Sequence, residues 1–370
     1  MAEFREPKRP FWRWILNASV LLGICLVCAE STARLDDWMR FGTGCLETPT
    51  MESLVVQEVG FRRGRPDSGF RHWKLNEHGF RGSSFPREKE PGKTRVMLLG
   101  ASETFGTHES PGKSYPENLA KLLPESYQVI NAAVVGMPLA EAINYWDLYL
   151  AQYQPDILVL CPSPLFYLAE HAPKIPSLKP PAAAPKPKPS PSLVDSLRIV
   201  ERLRNRFSLP SWLVQRRDRR NLARMVAAKG PSWVFPRPPE DRLELYQEHL
   251  TMMIDRTREA SCQLILITQP ISAAQEIRSE DQGDLLAARV IRPRATDRTL
   301  VDFCILARDR LIAIADSRSV PVVDLWEVMT GDKALFRDIV HFSDRGAQIV
   351  AQRIAPQLIA LEPASHLSSE

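Results

Sequence analysis

The stretch "RVMLLGASETFG", residues 95 to 106, is an apolar run that stops at Gly100, turns through Ser102 and leaves through Gly106. A serine hydroxyl at the carboxyl end of a strand sits where open α/β sheets bind ligands, and it becomes a nucleophile once a base takes its proton. Position alone is weak, because serine in such a turn is commonly only a helix cap. A second stretch supplies the base. In "FRDIVHFSDRGAQIVAQRI", Asp338 precedes His341 by three residues, just before an amphipathic pattern. An imidazole that activates serine needs one nitrogen on the hydroxyl and the other held by a carboxylate, and an aspartate three residues back in a loop can do that holding. The other histidines are His72, His78, His108, His171, His249 and His366. None clusters in sequence with further metal-ligating types, so neither a metal site nor a cofactor is expected.

Other chemistries fit poorly. No Gly-Lys-Ser/Thr follows Gly100, so this is not a phosphate-binding Walker loop. Ser102 stands where GxGxxG requires its second glycine, and Thr104 stands where GxSxG requires its last. A nucleotide fold and an α/β-hydrolase elbow are both disfavoured.

The elements that would carry these residues alternate. Short aliphatic runs at 95–99, 128–133, 156–161, 263–268 and 320–325 read as strands. Helical patterns lie between them at about 114–123, 138–152, 240–260, 298–317 and 344–361. This alternation predicts an α/β class, a doubly wound five-stranded parallel sheet. One connection, from the third strand to the fourth, is about a hundred residues long and must contain an insertion. Its first part, 172–192, is proline-rich and favours an extended arm. Its second part, 193–230, combines near-helical apolar spacing with a dense arginine face. That face reads as a solvated helical hairpin on the domain or, across 198–224, as a contact for anionic lipid or another polyanion.

Length and composition, 370 residues with 44% hydrophobic, suit one large α/β domain plus attachments. A net charge of only +4 gives no bulk polycation for nucleic acid, and none is expected as a partner. Cys25, Cys28, Cys45, Cys161, Cys262 and Cys304 show no zinc-type spacing. At the N-terminus, Arg5, Lys8, Arg9 and Arg13 precede "WILNASVLLGICLVCA", which carries no charge until Glu30. That pattern reads as an export signal. The stretch Trp14 to Ala29 would be about 24 Å long as a helix, short of the roughly 30 Å hydrocarbon core, and Phe11, Trp12 and Trp14 extend it as an interfacial belt. The reading adopted is an uncleaved anchor through residues 11–29, with a cleavable signal peptide ending near Glu30 or Arg34 as the alternative. No lipobox is present, since Ile24 and Val27 precede the two cysteines.

Four pieces together resemble the SGNH, or GDSL-type, hydrolase family, in its membrane-anchored bacterial members. "NEHGFRG" (76–82) resembles the lead-in before the domain, and "LLGASETFG" the first block, with Ser102 as nucleophile. "INAAVVGMPLAEA" (130–142) resembles the second block, with Gly136 on its oxyanion-hole glycine, and "DIVH" matches the fifth block's Asp-x-x-His. Two departures stand out. Ala101 replaces the usual Asp of Gly-Asp-Ser, and "CPSPLFYL" (161–168) stands where the third block has Gly-x-Asn-Asp. The absent asparagine is an oxyanion donor, whose loss typically costs about 10²–10³ in turnover; Ser163 or an NH from elsewhere is the available substitute.

The resemblance implies a flavodoxin-like SGNH hydrolase fold. Residues 1–33 would be the basic start and anchor, 34–92 a stalk and lead-in, 93–362 the hydrolase-like domain with the 172–230 insertion, and 363–370 a disordered tail. It implies catalysis by Ser102, His341 and Asp338, with the amides of Ser102 and Gly136 facing the oxyanion. The expected substrate is an O-acyl or O-acetyl ester of an envelope carbohydrate or lipid, with the domain on the periplasmic side of the inner membrane. An O-acyltransferase and a catalytically silent glycan-binding or scaffold domain are the alternatives.

Overall fold

The computed structural model describes residues 11–41, 50–179, 197–206, 210–273 and 285–361. Five strands form where the aliphatic runs predict them: β1 (Thr94–Leu99), β2 (Tyr127–Asn131), β3 (Ile157–Leu160), β4 (Gln263–Ile267) and β5 (Val322–Val323). All neighbours pair in parallel, in the order β2-β1-β3-β4-β5, which is the flavodoxin-like arrangement. Alternate side chains leave the two faces, as the period of a strand requires. Met97, Leu99, Leu158, Leu160, Leu264 and Leu266 enter one core layer, while Val96, Leu98, Ile157, Val159, Ile265 and Ile267 enter the other.

Each layer is closed by helices. The first takes α4 (Leu139–Tyr145), α7 (Glu240–Glu259) and α9 (Asp297–Ser317); the second takes α3 (Tyr115–Leu122) and α11 (Asp344–Ala360). The pattern predicted over 138–152 is helical throughout, but its hydrogen bonding widens to a π-turn at Trp146–Leu150 and tightens to a 3-10 turn at Ala151–Tyr153. The edge strand β5 is shorter than 320–325 because Pro321 has no NH and the Asp324 side chain turns away to Thr268 and Arg308. A short α10 (Trp326–Met329) follows it.

The lead-in is folded against the sheet. Residues 55–64 and 69–74 form two antiparallel hairpins, and Leu54, Phe70, Trp73 and Leu75 share a small core with Phe105 and Ala133. Gly64 and Gly79 allow this packing: a Cβ on Gly64 would lie 1.9 Å from the Gly79 carbonyl oxygen. Arg81 then bridges to β2 through its amide, 3.2 Å from the Asn131 carbonyl oxygen.

The insertion contains α5 (Arg198–Arg206) and α6 (Ser211–Lys229), and most of the proline-rich arm lies outside the described residues. Arg216, Arg217, Arg219 and Arg220 are exposed on α6. A second excursion, between β4 and α9, was not expected; it carries α8 (Leu286–Ile291), packed on α6. The N-terminal helix α1 (Phe11–Phe41) has 31 residues and is long and apolar enough to span a membrane. Its far end is clamped to the insertion. The Glu30 carboxylate accepts the Arg198 and Ile199 amides at 3.0 Å each, capping α5, and Arg202 pairs with Asp36 and Asp37 at 2.8 Å.

The guanidinium of Arg81 is buried and donates to the carbonyls of Phe105 and Gly106. Replacing it with methionine keeps the bulk but costs each carbonyl one donor, Asn131 and Trp73 remaining as the others, at about 1–1.5 kcal/mol each. Arg81→Met is therefore expected to lower the thermal midpoint by roughly 5–10 °C, measured on the full-length chain in detergent.

Candidate active site

Ser102 opens α2 (Ser102–Phe105), a single helical turn directly after β1. Gly100 is required there, since a Cβ would lie 2.1 Å from Thr104 Oγ1. Gly106 ends the turn in the left-handed region, at φ 84°. So short a helix cannot satisfy its own carbonyls, and distant groups do it. Asn131 Nδ2 donates to Thr104 and Phe105 oxygens at 3.2 and 3.3 Å, and Trp73 Nε1 donates to Gly106 at 3.2 Å. Arg81 adds a donor at 2.6 Å to Gly106, and Tyr115 fixes Thr104 through a 3.0 Å hydroxyl contact.

Asp338 and His341 occupy a tight loop before α11. Phe336 and Phe342 bridge its base, Arg337 donates its amide to the His341 carbonyl at 2.7 Å, and Ser343 caps α11. Gly346 lets this loop press on the helix, because a Cβ would sit 2.1 Å from the Leu335 carbonyl oxygen. One oxygen of Asp338, Oδ1, accepts the Val340 and His341 amides at 3.0 and 2.9 Å. The other, Oδ2, lies 2.6 Å from His341 Nδ1, and His341 Nε2 lies 2.7 Å from Ser102 Oγ. The structure thus brings together the three residues singled out at opposite ends of the sequence.

Burial opposes ionisation of Asp338, but the hydrogen bond and charge of His341 and the two loop amides override it and hold the carboxyl down at about 2. Burial likewise works against charging His341. Asp338, with smaller help from Glu103 and Glu109, outweighs it and raises the imidazole above its ordinary value of 6.5. An ionised Asp338 can only accept, so the His341 tautomer is set with Nδ1–H toward the carboxylate and the Nε2 lone pair toward Ser102 Oγ.

Gly136 lies on the loop between β2 and α4 at φ 72°, with its carbonyl accepting from Arg62 Nη2 at 2.8 Å. Arg62 is itself paired with Glu141 at 2.7 Å. Among the described residues, neither the Ser102 nor the Gly136 amide meets a protein acceptor. Ser163, the suggested substitute for the missing asparagine, is turned inward: it is buried and its hydroxyl donates to Gln269 Oε1 at 2.6 Å.

Four neighbours were not foreseen. Glu103 is buried beside Ser102, and burial raises its pKa against the pull of nearby amides, His341 and Arg292. Glu109, also buried, is pushed up to about 7 by burial and has one oxygen, Oε1, without a partner. Arg292, on the second excursion, donates to the Leu165 carbonyl at 2.7 Å. His108 has no ligand-type cluster in sequence, yet its ring lies against His341, tilted by 32° with centroids 4.5 Å apart, and its Nε2 lies 4.0 Å from Asp338 Oδ2. The expectation that no histidine joins such a cluster is corrected by long-range folding. Only the proximity of Glu103 to Ser102 was available in sequence.

Asp338→Asn removes the charge that holds the imidazole up. The His341 ring, followed by histidine-selective NMR, is expected to titrate at lower pH in this variant than in the parent chain. An unchanged titration would mean that Asp338 does not govern it.

No family model matches the sequence, and no curated protein matches it. Solved structures similar to the chain include a GDSL-like lipase from Bacteroides thetaiotaomicron (11% identity, 72% of this chain and 87% of that one, TM-score 0.37). Others are a lipase/acylhydrolase from Enterococcus faecalis (16% identity, 72% and 95%, TM-score 0.38) and a catalytic mutant of an acetylxylan esterase from Geobacillus stearothermophilus (12% identity, 72% and 94%, TM-score 0.39).

Proposed function

We propose that this chain is a serine ester hydrolase of the SGNH type, held at a membrane by α1 and acting on an O-acyl or O-acetyl ester of an envelope carbohydrate or lipid. The unbroken line from Asp338 Oδ2 through His341 to Ser102 Oγ, with contacts of 2.6 and 2.7 Å, carries this reading. Ser102 Oγ attacks the ester carbonyl carbon while His341 Nε2 takes its proton. The oxyanion faces the amides of Ser102 and Gly136. Collapse expels the alcohol, which takes the proton back from His341. Water then repeats the sequence on the acyl-serine, releasing the acid and restoring Ser102. The assembled triad disfavours a silent domain.

Location rests on α1 and the basic residues ahead of it, which favour a cytoplasmic N-terminus and a sheet domain on the far side. The arginine face of α6 is the surface suited to anionic lipid.

Ser102→Ala and His341→Ala are each expected to abolish nearly all hydrolysis of a short acyl ester, and the double variant to be scarcely worse, because the triad acts as a unit. The base must be neutral to accept a proton, so kcat/KM should rise with pH through a pKa above 6.5. A chain that hydrolyses no ester and leaves Ser102 unlabelled by a fluorophosphonate would overturn the assignment. For topology, a phosphatase reporter fused after residue 92 is expected to be active outside the cytoplasm, and activity inside would refute that orientation.

A further inference from the structure

The outer face of the triad carries a group that ester hydrolysis does not need. His108, Asp338 and His341 each offer a ligand atom within 4.8 Å of the others, with Asp338 Oδ2 4.0 Å from His108 Nε2 and 2.6 Å from His341 Nδ1. We propose that these three side chains bind one zinc-class divalent cation, and that the bound cation switches off Ser102. The switching half rests on the hydrolase reading above; the binding half does not.

The donor set is two imidazole nitrogens and one carboxylate oxygen, which suits zinc and its neighbours rather than calcium or magnesium. Tetrahedral zinc with ligand bonds of about 2.0–2.1 Å places its donors about 3.3 Å apart. His341 Nδ1 and Asp338 Oδ2, now at 2.6 Å, must open by about 0.7 Å, and His108 Nε2, at 4.0 Å from the same oxygen, must close by about as much. Both outer groups have room to move, since the side chains of His108 and Asp338 are 44% and 40% exposed. Asp338 stays oriented meanwhile, because its Oδ1 remains on the amides of Val340 and His341. A water from the open side completes the coordination. The ionised Asp338 supplies the attraction for a cation, since burial disfavours charge on Glu103 and Glu109, and Arg292 and Arg337 oppose it.

The consequence for catalysis is a matter of tautomers. In the metal-free site Nδ1 carries the proton toward Asp338, and Nε2 offers its lone pair to the Ser102 hydroxyl. A cation takes the Nδ1 lone pair, so the proton of the neutral ring moves to Nε2 through solvent, with none gained or lost. His341 then donates to Ser102 Oγ and cannot accept its proton.

The test uses the full-length chain in detergent, stripped with a chelator and titrated with zinc chloride. Ser102→Ala reports binding without catalysis, by competition with a chromophoric zinc indicator, and one zinc per chain is expected. His108→Gln in that background should weaken binding at least about tenfold, since losing even an outer-shell partner costs roughly 10–100-fold. In the chain with Ser102 intact, zinc should slow fluorophosphonate labelling and excess chelator should restore it. His108→Gln, compared with its own metal-free rate, should need about tenfold more zinc for the same slowing. No zinc bound to Ser102→Ala, or an affinity indifferent to His108→Gln, would overturn the site. Zinc bound through His108 while labelling proceeds at full rate would overturn the switch. A chain with no labelling and no esterase activity in any metal state, yet with His108-dependent zinc binding, would refute the hydrolase reading and leave the cation site standing.

Discussion

The structure depends on a helix too short to hold itself. One turn, Ser102–Phe105, must keep a hydroxyl fixed within a few tenths of an ångström, and its carbonyl end has no following turn to bond. Buried carbonyls without donors are costly, so the turn is stable only while Arg81, Asn131 and Trp73 supply them. Two of those three residues come from the lead-in. A third lead-in residue, Arg62, bridges Glu141 and the Gly136 carbonyl and so fixes the loop on the other side of Ser102. The segment ahead of the sheet is therefore part of the site's frame, and its tight glycine contact at Gly64 and Gly79 serves that placement.

The site also gathers more carboxyl groups than a single serine–histidine–aspartate line contains. Asp338 is ionised, held by loop amides and His341, whereas Glu103 and Glu109 are buried where ionisation is disfavoured. The difference lies in hydrogen bonding to the charged form, which Asp338 has in abundance and Glu109 lacks on one oxygen. The same contrast separates Ser102, whose hydroxyl faces the His341 imidazole, from Ser163, whose hydroxyl is spent on Gln269. Three carboxylates and two serines of similar chemistry take different roles because their surroundings differ.

Much of this was legible in the sequence. The three central strands, β1, β3 and β4, were marked by nearly unbroken aliphatic runs, as buried parallel strands are, and the Asp338-x-x-His341 spacing pointed to a carboxylate-held imidazole. The lead-in was misleading because arginine, glycine and proline suggest a solvated stalk. Composition cannot show that Arg62 meets a glutamate 79 residues away, or that Arg81 is buried. The shortening of β5 was readable at Pro321, but the turning away of Asp324 was not. His108 was invisible as a neighbour of Asp338 for the same reason as Arg62: its surroundings are set by the docking of α11, where Asp344 accepts the Ser110 amide at 2.8 Å and pairs with Lys113.

That docking has a bearing on how the chain comes into being. Ser102 and His341 are 239 residues apart, and α11, which carries the imidazole's loop, packs chiefly on α3 just after the serine. Closing so long a loop is slow and is rewarded only when the partner surface already exists. Chain-closure entropy favours an order in which the sheet and α3 form early and the C-terminal helix docks late. Until it does, Ser102 has neither imidazole nor carboxylate beside it, so a nascent or truncated chain carries an unpartnered hydroxyl even when most of its sheet is in place.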